Sequence, residues 1–297
     1  MSLSGWGSCR GNPLWLPLKL SIVTSVSQSI SKNRMNRHII LTSGRSGSNY
    51  LTNTLNQHPH LANYGEVLAS MLIPYKFYQR CKQYKICHGS IIDYLNYVYS
   101  SKAFFYTAQF YSAYSHIKKK KPIRFKTWGK ISTLGTKDFF LNYRQKNAVD
   151  FLISNKDIAM IYLYRENNLR RYLSTVFLRK TQISATEKKI EVSKVHIEPE
   201  HMMTHLEAID KEVEDEKRIV SQLNTHRLLT IRYEDYFASS ESVLSYNQQV
   251  FEFLGVEPIQ LKSQQQKILP QAMRDMVDNY EEFRACLINT QYHKYLD

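Results

Sequence analysis

A three-layer α/β/α domain built on a P-loop-like central parallel sheet is the fold this sequence predicts. Short apolar runs alternate with stretches of helical periodicity, the pattern of a parallel sheet covered by helices on both faces. A Gly/Ser-rich loop joins the first apolar run to the first helical stretch. Apolar residues make up 43% of 297 residues and charged ones 22%. That is enough core for one large domain and excludes a chain disordered throughout. Only 10 glycines and 8 prolines are present, so glycines that cluster carry information.

The first strand is expected at Arg37–Thr42 (R-H-I-I-L-T). It runs into S-G-R-S-G-S-N-Y-L at Ser43–Leu51, where two of the ten glycines lie three residues apart. Leu51 and Leu55 continue at helical spacing as far as Gln57, and His58-Pro59-His60 stops the helix. A turn follows at Asn63–Leu68. Residues 70–83 and 90–112, rich in Tyr and Phe, are expected to be helical, and Lys118–Lys121 a solvated basic turn. A second strand is expected at Pro122–Thr127 and a helix over 136–153. Asp157–Tyr164 (D-I-A-M-I-Y-L-Y) is the clearest buried strand, followed by a basic helix at Arg165–Arg179. Residues 181–198 suggest a hairpin or excursion. Residues 202–223 place Met202, Leu206, Ile209, Val213, Val220 and Leu223 on one helical stripe with a solvated charged face. Arg227–Tyr233 is the last expected strand. A helix at 241–254 ends on Gly255, and a final helix covers 271–289.

Residues 1–34 have no acidic residue and are rich in Ser. They are expected to lie outside the fold, as a disordered tail or a misplaced start, with the domain occupying 35–297. The segment Pro13–Val26 is broken by two prolines and Lys19, and no run of about 18 uncharged apolar residues exists. Stable membrane insertion is therefore not expected, and the expected location is cytoplasmic. Of the four cysteines, Cys9, Cys81, Cys87 and Cys286, none forms a C-x-x-C pair, so reduced thiols are expected and no metal site.

Lys and Arg total 40 against 26 acids, a net charge of +14. An anionic partner is implied. The loop offers a place for one. Between a buried strand and a helix N-terminus, free N–H groups converge and the helix dipole adds partial positive charge. Ser43, Gly44, Gly47 and Asn49 shape or line such a loop, Ser46 and Ser48 add hydroxyls, and Arg45 adds a fixed charge. The spacing is not that of Walker A, and no Lys follows.

Thr42–Leu51 resembles the 5′-phosphosulfate loop of PAPS-dependent carbohydrate sulfotransferases of the bacterial nodulation-factor and trehalose-sulfating type. Tyr164–Ser174 resembles that family's 3′-phosphate motif. Tyr233-Glu234-Asp235 resembles its Y-E-D after the last core strand, and Lys267 with Arg274–Phe283 resembles its donor-closing segment. The four occur in the family's order across roughly residues 37–297. The interval from Arg165 to Ser174 is one residue longer than in many relatives, and Ile268 stands where a Gln often follows Lys267.

The resemblance implies PAPS as sulfuryl donor, PAP as product and no metal. Ser43 to Asn49 would hold the 5′-phosphosulfate, Arg165 and Ser174 the 3′-phosphate, and Lys267 would approach from the C-terminal segment. It makes Glu66, the first acid in the chain, the candidate base, and Lys126 the candidate for the donor's bridging oxygen. His58 and His60 read as loop residues, and Ser48 lacks the setting of a nucleophile elbow. The implied partner is a carbohydrate or glycolipid acceptor, with a homodimer possible. Two other readings remain at this point. A divergent P-loop kinase using ATP and magnesium is disfavoured by the missing Gly-Lys-Ser/Thr. A basic nucleic-acid-binding protein is disfavoured because the charge spreads over the chain instead of forming one stripe.

Overall fold

The computed structural model describes residues 35–84, 89–118, 120, 122–181, 193–261 and 272–296. The tail 1–34, Cys87, Lys267 and most of the expected excursion lie outside them. Five parallel strands form one sheet in the order β2-β3-β1-β4-β5. β1 is Asn36–Thr42, β2 Leu61–Asn63, β3 Thr133–Phe139, β4 Ala159–Tyr164 and β5 Leu228–Arg232. The expected fold class is the observed one.

Side chains of a strand point alternately to the two faces, and here both faces are apolar. Ile40 of β1 with Ile161 and Leu163 of β4 packs against α1 (Ser48–Leu55) and α10 (Ser240–Leu254). Ile39 and Leu41 with Met160 and Tyr162 pack against the opposite layer. That layer draws on α2 (Ile73–Gln83), α3 (Ile91–Ser100), α5 (Phe140–Gln145), α6 (Val149–Ser154) and the end of α8 (Pro199–Ser221). α4 (Lys102–Lys118) buries only Phe105. α7 (Asn168–Thr181) lies against α8 and the C-terminal segment. Short α9 (Tyr233–Tyr236) and α11 (Tyr280–Ala285) complete the helices.

Local chemistry explains several boundaries. Ser90 and Asp93 form a reciprocal capping box that starts α3. Ser239 caps α10, and Gly255, at φ 74°, ends it in the left-handed conformation.

Four expectations need correction. Pro122–Thr127 has no regular secondary structure and belongs to no strand; the third strand is β3, eleven residues further on. β3 was hidden because four of its residues, Thr133, Thr136, Lys137 and Asp138, are polar yet buried. The helix expected over 136–153 is the end of β3 followed by α5 and α6, separated at Asn147, whose φ is 52°. The helix expected over 90–112 breaks at extended Ser101 into α3 and α4. The final helix is a 3₁₀ turn at Met273–Asp275 and then α11. Between them Met276 and Asp278 bond their backbones to Val195 instead of to a helix.

Candidate functional site

The site lies at the C-terminal edge of the sheet. There β1 feeds α1 on one face while its neighbour β3 feeds α5 on the other, and ligands of open α/β sheets bind in the crevice at such a reversal. Thr42 ends β1 and anchors the loop. Its hydroxyl donates to the Leu163 carbonyl of β4 at 2.8 Å and contacts the Ser46 hydroxyl. Ser46 in turn donates to the Ser43 carbonyl at 3.0 Å. Arg45 and Gly47 both have positive φ, 66° and 81°. Only Gly fits at 47, since a Cβ would come within 2.6 Å of the Phe237 ring. This curl sets Ser48 as the first, buried residue of α1 and leaves Asn49 exposed.

Long-range contacts bring the loop and the segment Arg165–Ser174 together. Arg45 Nε donates to Ser174 Oγ at 2.8 Å across 129 residues of sequence. Arg165 Nη1 donates to the Arg45 carbonyl at 3.2 Å. The Arg165 guanidinium stacks on Tyr233 at 4.4 Å, and its Nε lies 3.9 Å from Glu234 Oε1. That Nε is buried with no hydrogen-bond partner among the described residues. Burial pulls both guanidiniums below their ordinary value, while Tyr233 pulls each back up, joined at Arg165 by Glu234. Arg165 and Arg45 stay cationic.

Tyr233-Glu234-Asp235 thus has three separate jobs. Tyr233 stacks on Arg165. Glu234 accepts the backbone N–H groups of Glu166 and Asn167, each at 3.1 Å, at the entry to α7. Asp235 grips Arg232 through two bonds of 2.6 and 2.8 Å.

Glu66 stands beside the end of β3, one strand from the loop. Its carboxylate pairs with Lys137 Nζ, whose backbone N–H donates to the Gly65 carbonyl at 3.0 Å. Buried Asp138 fixes the turn by accepting the N–H groups of Val67 and Leu68 at 2.9 and 2.8 Å. Burial raises its carboxyl to about 6, against the pull of those bonds and of Asn142.

Lys126 is not brought to this edge. Its ammonium donates to the carbonyl of Leu61, at the start of β2, and β2's register places that residue at the N-terminal end of the sheet. The lysine beside the candidate base is Lys137, which sequence reading missed with β3. His58 bonds the Glu257 carbonyl at 3.1 Å and His60 the Lys130 carbonyl at 2.7 Å, both loop contacts. Lys267 lies outside the described residues. Among those residues no group of three or more His, Cys, Asp or Glu side chains could hold a metal, and no helix is long and apolar enough to cross a membrane.

A cavity of about 190 Å³ opens beside the loop. Its walls are Thr42–Gly44, Phe139–Leu141, Arg144, Arg171, Glu212, Asp215 and Glu216. Arg171 is buried and pairs with Glu212 through Nη2, while its Nη1 has no partner among the described residues. Arg144 pairs with Asp215. Burial pushes the Glu216 carboxyl up to about 7, against the opposing charge of Arg171. The charged face of α8 is therefore not wholly solvated as expected, since part of it lines this cavity. An acidic residue a turn from Val220 and Ile219 was the available signal.

No protein-family model and no curated protein sequence matches the chain. Solved structures do resemble it. A sulfotransferase from Alicyclobacillus acidocaldarius aligns over 89% of this chain and 97% of its own, at 13% identity and a TM-score of 0.44. The sulfotransferase domains of the Synechococcus PCC 7002 olefin synthase and of the curacin biosynthetic pathway each align over 76% of both chains. They do so at 16% and 18% identity and TM-scores of 0.37. Overlap this partial leaves the functional reading to the site itself.

Proposed function

We propose that the chain is a sulfotransferase that moves a sulfuryl group from PAPS to a hydroxyl of a carbohydrate or glycolipid. The observation that carries this reading is the convergence of Arg45, Arg165 and Ser174 on one sheet edge, with a buried Arg165 N–H that has no hydrogen-bond partner among the described residues. Buried donors are usually paired, so this N–H is available to a phosphate oxygen. Two cation-bearing subsites suit a nucleotide with two separate phosphates. The loop would hold the 5′ end and Arg165 with Ser174 the 3′ end.

PAPS supplies the sulfuryl group. The S–O bond to its phosphate breaks as one to the acceptor oxygen forms, and PAP leaves. The carboxylate of Glu66 takes the acceptor's hydroxyl proton. Lys137, beside it, donates to oxygen that gains negative charge, a role a metal would otherwise fill. The cavity next to Gly44 is lined by guanidinium and carboxylate groups together with Phe139. Paired donors and acceptors of that kind suit an acceptor rich in hydroxyls.

Calorimetry with PAP and AMP tests the reading. PAP should bind at least about tenfold more tightly, because Arg165 makes a charge-assisted bond worth about 1.5–3 kcal/mol to the additional phosphate. Arg165→Ala should bring PAP down to the affinity of AMP, and Arg45→Ala should weaken both. Equal wild-type affinities for PAP and AMP would remove the second subsite and the reading with it.

A further inference from the structure

The excess positive charge is concentrated, contrary to the expectation that it is dispersed. From Val67 to Lys137 the sequence has thirteen Lys and Arg residues and one acid, Asp93, so about a quarter of the chain holds +12 of the net +14. The same stretch holds twelve of the fifteen large apolar side chains that are exposed among the described residues.

The two features meet on α4. Its root is fixed: Phe105 is buried, and Tyr64 packs its ring against Phe104 and Phe105 at 5.1 and 6.5 Å. From Tyr106 to Lys118, no residue is buried. Phe110, Tyr114 and Ile117 repeat at the spacing of one helical face, and they are 65%, 65% and 62% exposed. The chain then turns back along the helix. His116 Nδ1 donates to the Pro122 carbonyl at 2.6 Å, and the Phe125 ring sits 5.3 Å from that of Phe110. Ile123 and Phe125 are themselves about half exposed, and Lys118, Lys120 and Arg124 are exposed at the same end.

We propose that α4 and the returning segment 122–128 form a docking surface for an anionic lipid membrane. A projecting apolar ridge with a cluster of cations is the composition of a structure that seats in the headgroup region. Its apolar side chains enter the acyl boundary while Lys and Arg meet lipid phosphates and carboxylates. The charge argues against a second copy of this chain, whose matching face carries the same cations. The side chains argue against nucleic acid. Bases stack on aromatic rings, but Ile117 and Ile123 present no ring, whereas acyl chains accept both kinds. The contact is peripheral and compatible with the lack of a spanning helix among the described residues. It stands apart from the proposed chemistry, since none of these residues belongs to the donor site.

Co-sedimentation of the full chain with vesicles tests the inference. One set is phosphatidylcholine alone and the other contains about 30% phosphatidylserine. Partition into the anionic set should be at least about tenfold stronger and should fall as salt rises. Two variants dissect the surface in the full chain, Phe110→Ser with Ile117→Ser and Phe125→Ser, and Lys118→Glu with Lys120→Glu and Arg124→Glu. Each should lose most of the partition, about tenfold or more, while keeping wild-type melting and PAP affinity. The charge variant, wholly on the surface, decides the matter if the apolar one unfolds. Equal partition into both vesicle sets, or wild-type partition by the charge variant, overturns the inference. So does binding to single-stranded DNA with none to vesicles, or a dimer that the apolar variant converts to monomer.

Discussion

The two ends of the sheet both bury ionisable groups, and the cations among them are satisfied differently. Toward the N-terminal end, His38 lies over Gly135, where a Cβ would come within 2.2 Å of its ring. Its Nδ1 meets Thr133 Oγ1 at 3.1 Å, and its Nε2 accepts from the Asn63 amide at 3.0 Å. Lys126 spends its ammonium on the Leu61 carbonyl. Burial lowers His38 to about 3 and Lys126 to about 7. Toward the C-terminal end, Arg165 and Arg171 are also buried, but each keeps an N–H without a hydrogen-bond partner among the described residues. A strongly shifted group is thus a weak guide to a site when its hydrogen bonds close within the protein. An unpaired N–H on a buried guanidinium, which keeps its charge, points to one more directly.

The sharpest way to break this contrast is at Glu66. Glu66→Gln keeps the shape and removes the proton acceptor, so turnover with labelled PAPS should fall by about 10²–10⁴-fold. PAP affinity by calorimetry should stay near wild type, because Glu66 faces Lys137 and not the phosphate residues. A Glu66→Gln enzyme with full turnover would sink the assignment.

The lysines come next. Lys137→Met should lower turnover by about 10²–10³-fold, the usual cost of one lost donor to developing charge. Lys126→Met should leave both turnover and PAP affinity within about twofold, since Lys126 bonds the opposite end of the sheet. Melting curves of both variants confirm that the loss is not unfolding. If Lys126→Met is the damaging change, the two ends have been assigned the wrong way round.

That pair of lysines also shows where the sequence stops being readable. β1 and β4 were legible because their buried residues are largely an apolar run, and β5 because Leu228, Leu229 and Ile231 lie close together. The curl of the loop was legible from its clustered glycines, while Arg165 and Ser174 were reached only through resemblance to a known motif; the structure brings both against Arg45. β3 was not legible. Its core positions include Thr136 and Asp138, which tolerate burial only because distant groups satisfy them. The Tyr99 hydroxyl bonds Thr136 Oγ1 at 2.8 Å, and the backbone of Val67 and Leu68 bonds Asp138. No window along the strand contains that information. Missing β3 displaced the candidate lysine to Lys126. Arg171 and Glu216 were missed for a similar reason: each sits on a charged helix whose inner side becomes visible only when α7 and α8 pack together.

The smallest expected effect concerns that inner side. Burial raises the Glu216 carboxyl from 4.5 to about 7, so the fold favours its protonated form. Its contribution to stability is fully present below about pH 4.5 and is lost as pH rises through about 7. Glu216→Gln mimics the protonated group at every pH. The variant should match wild type near pH 4.5 and exceed it near pH 8 by about 1–3 kcal/mol, read from urea midpoints. Asp138, raised to about 6, and His38, lowered to about 3, also titrate across this range. Both proteins carry them, so their contributions cancel in the difference. A gap that stays constant with pH would mean that Glu216 is hydrated at neutral pH. The cavity beside Gly44 would then be wet at its α8 wall, and the contrast would narrow to Arg165 alone.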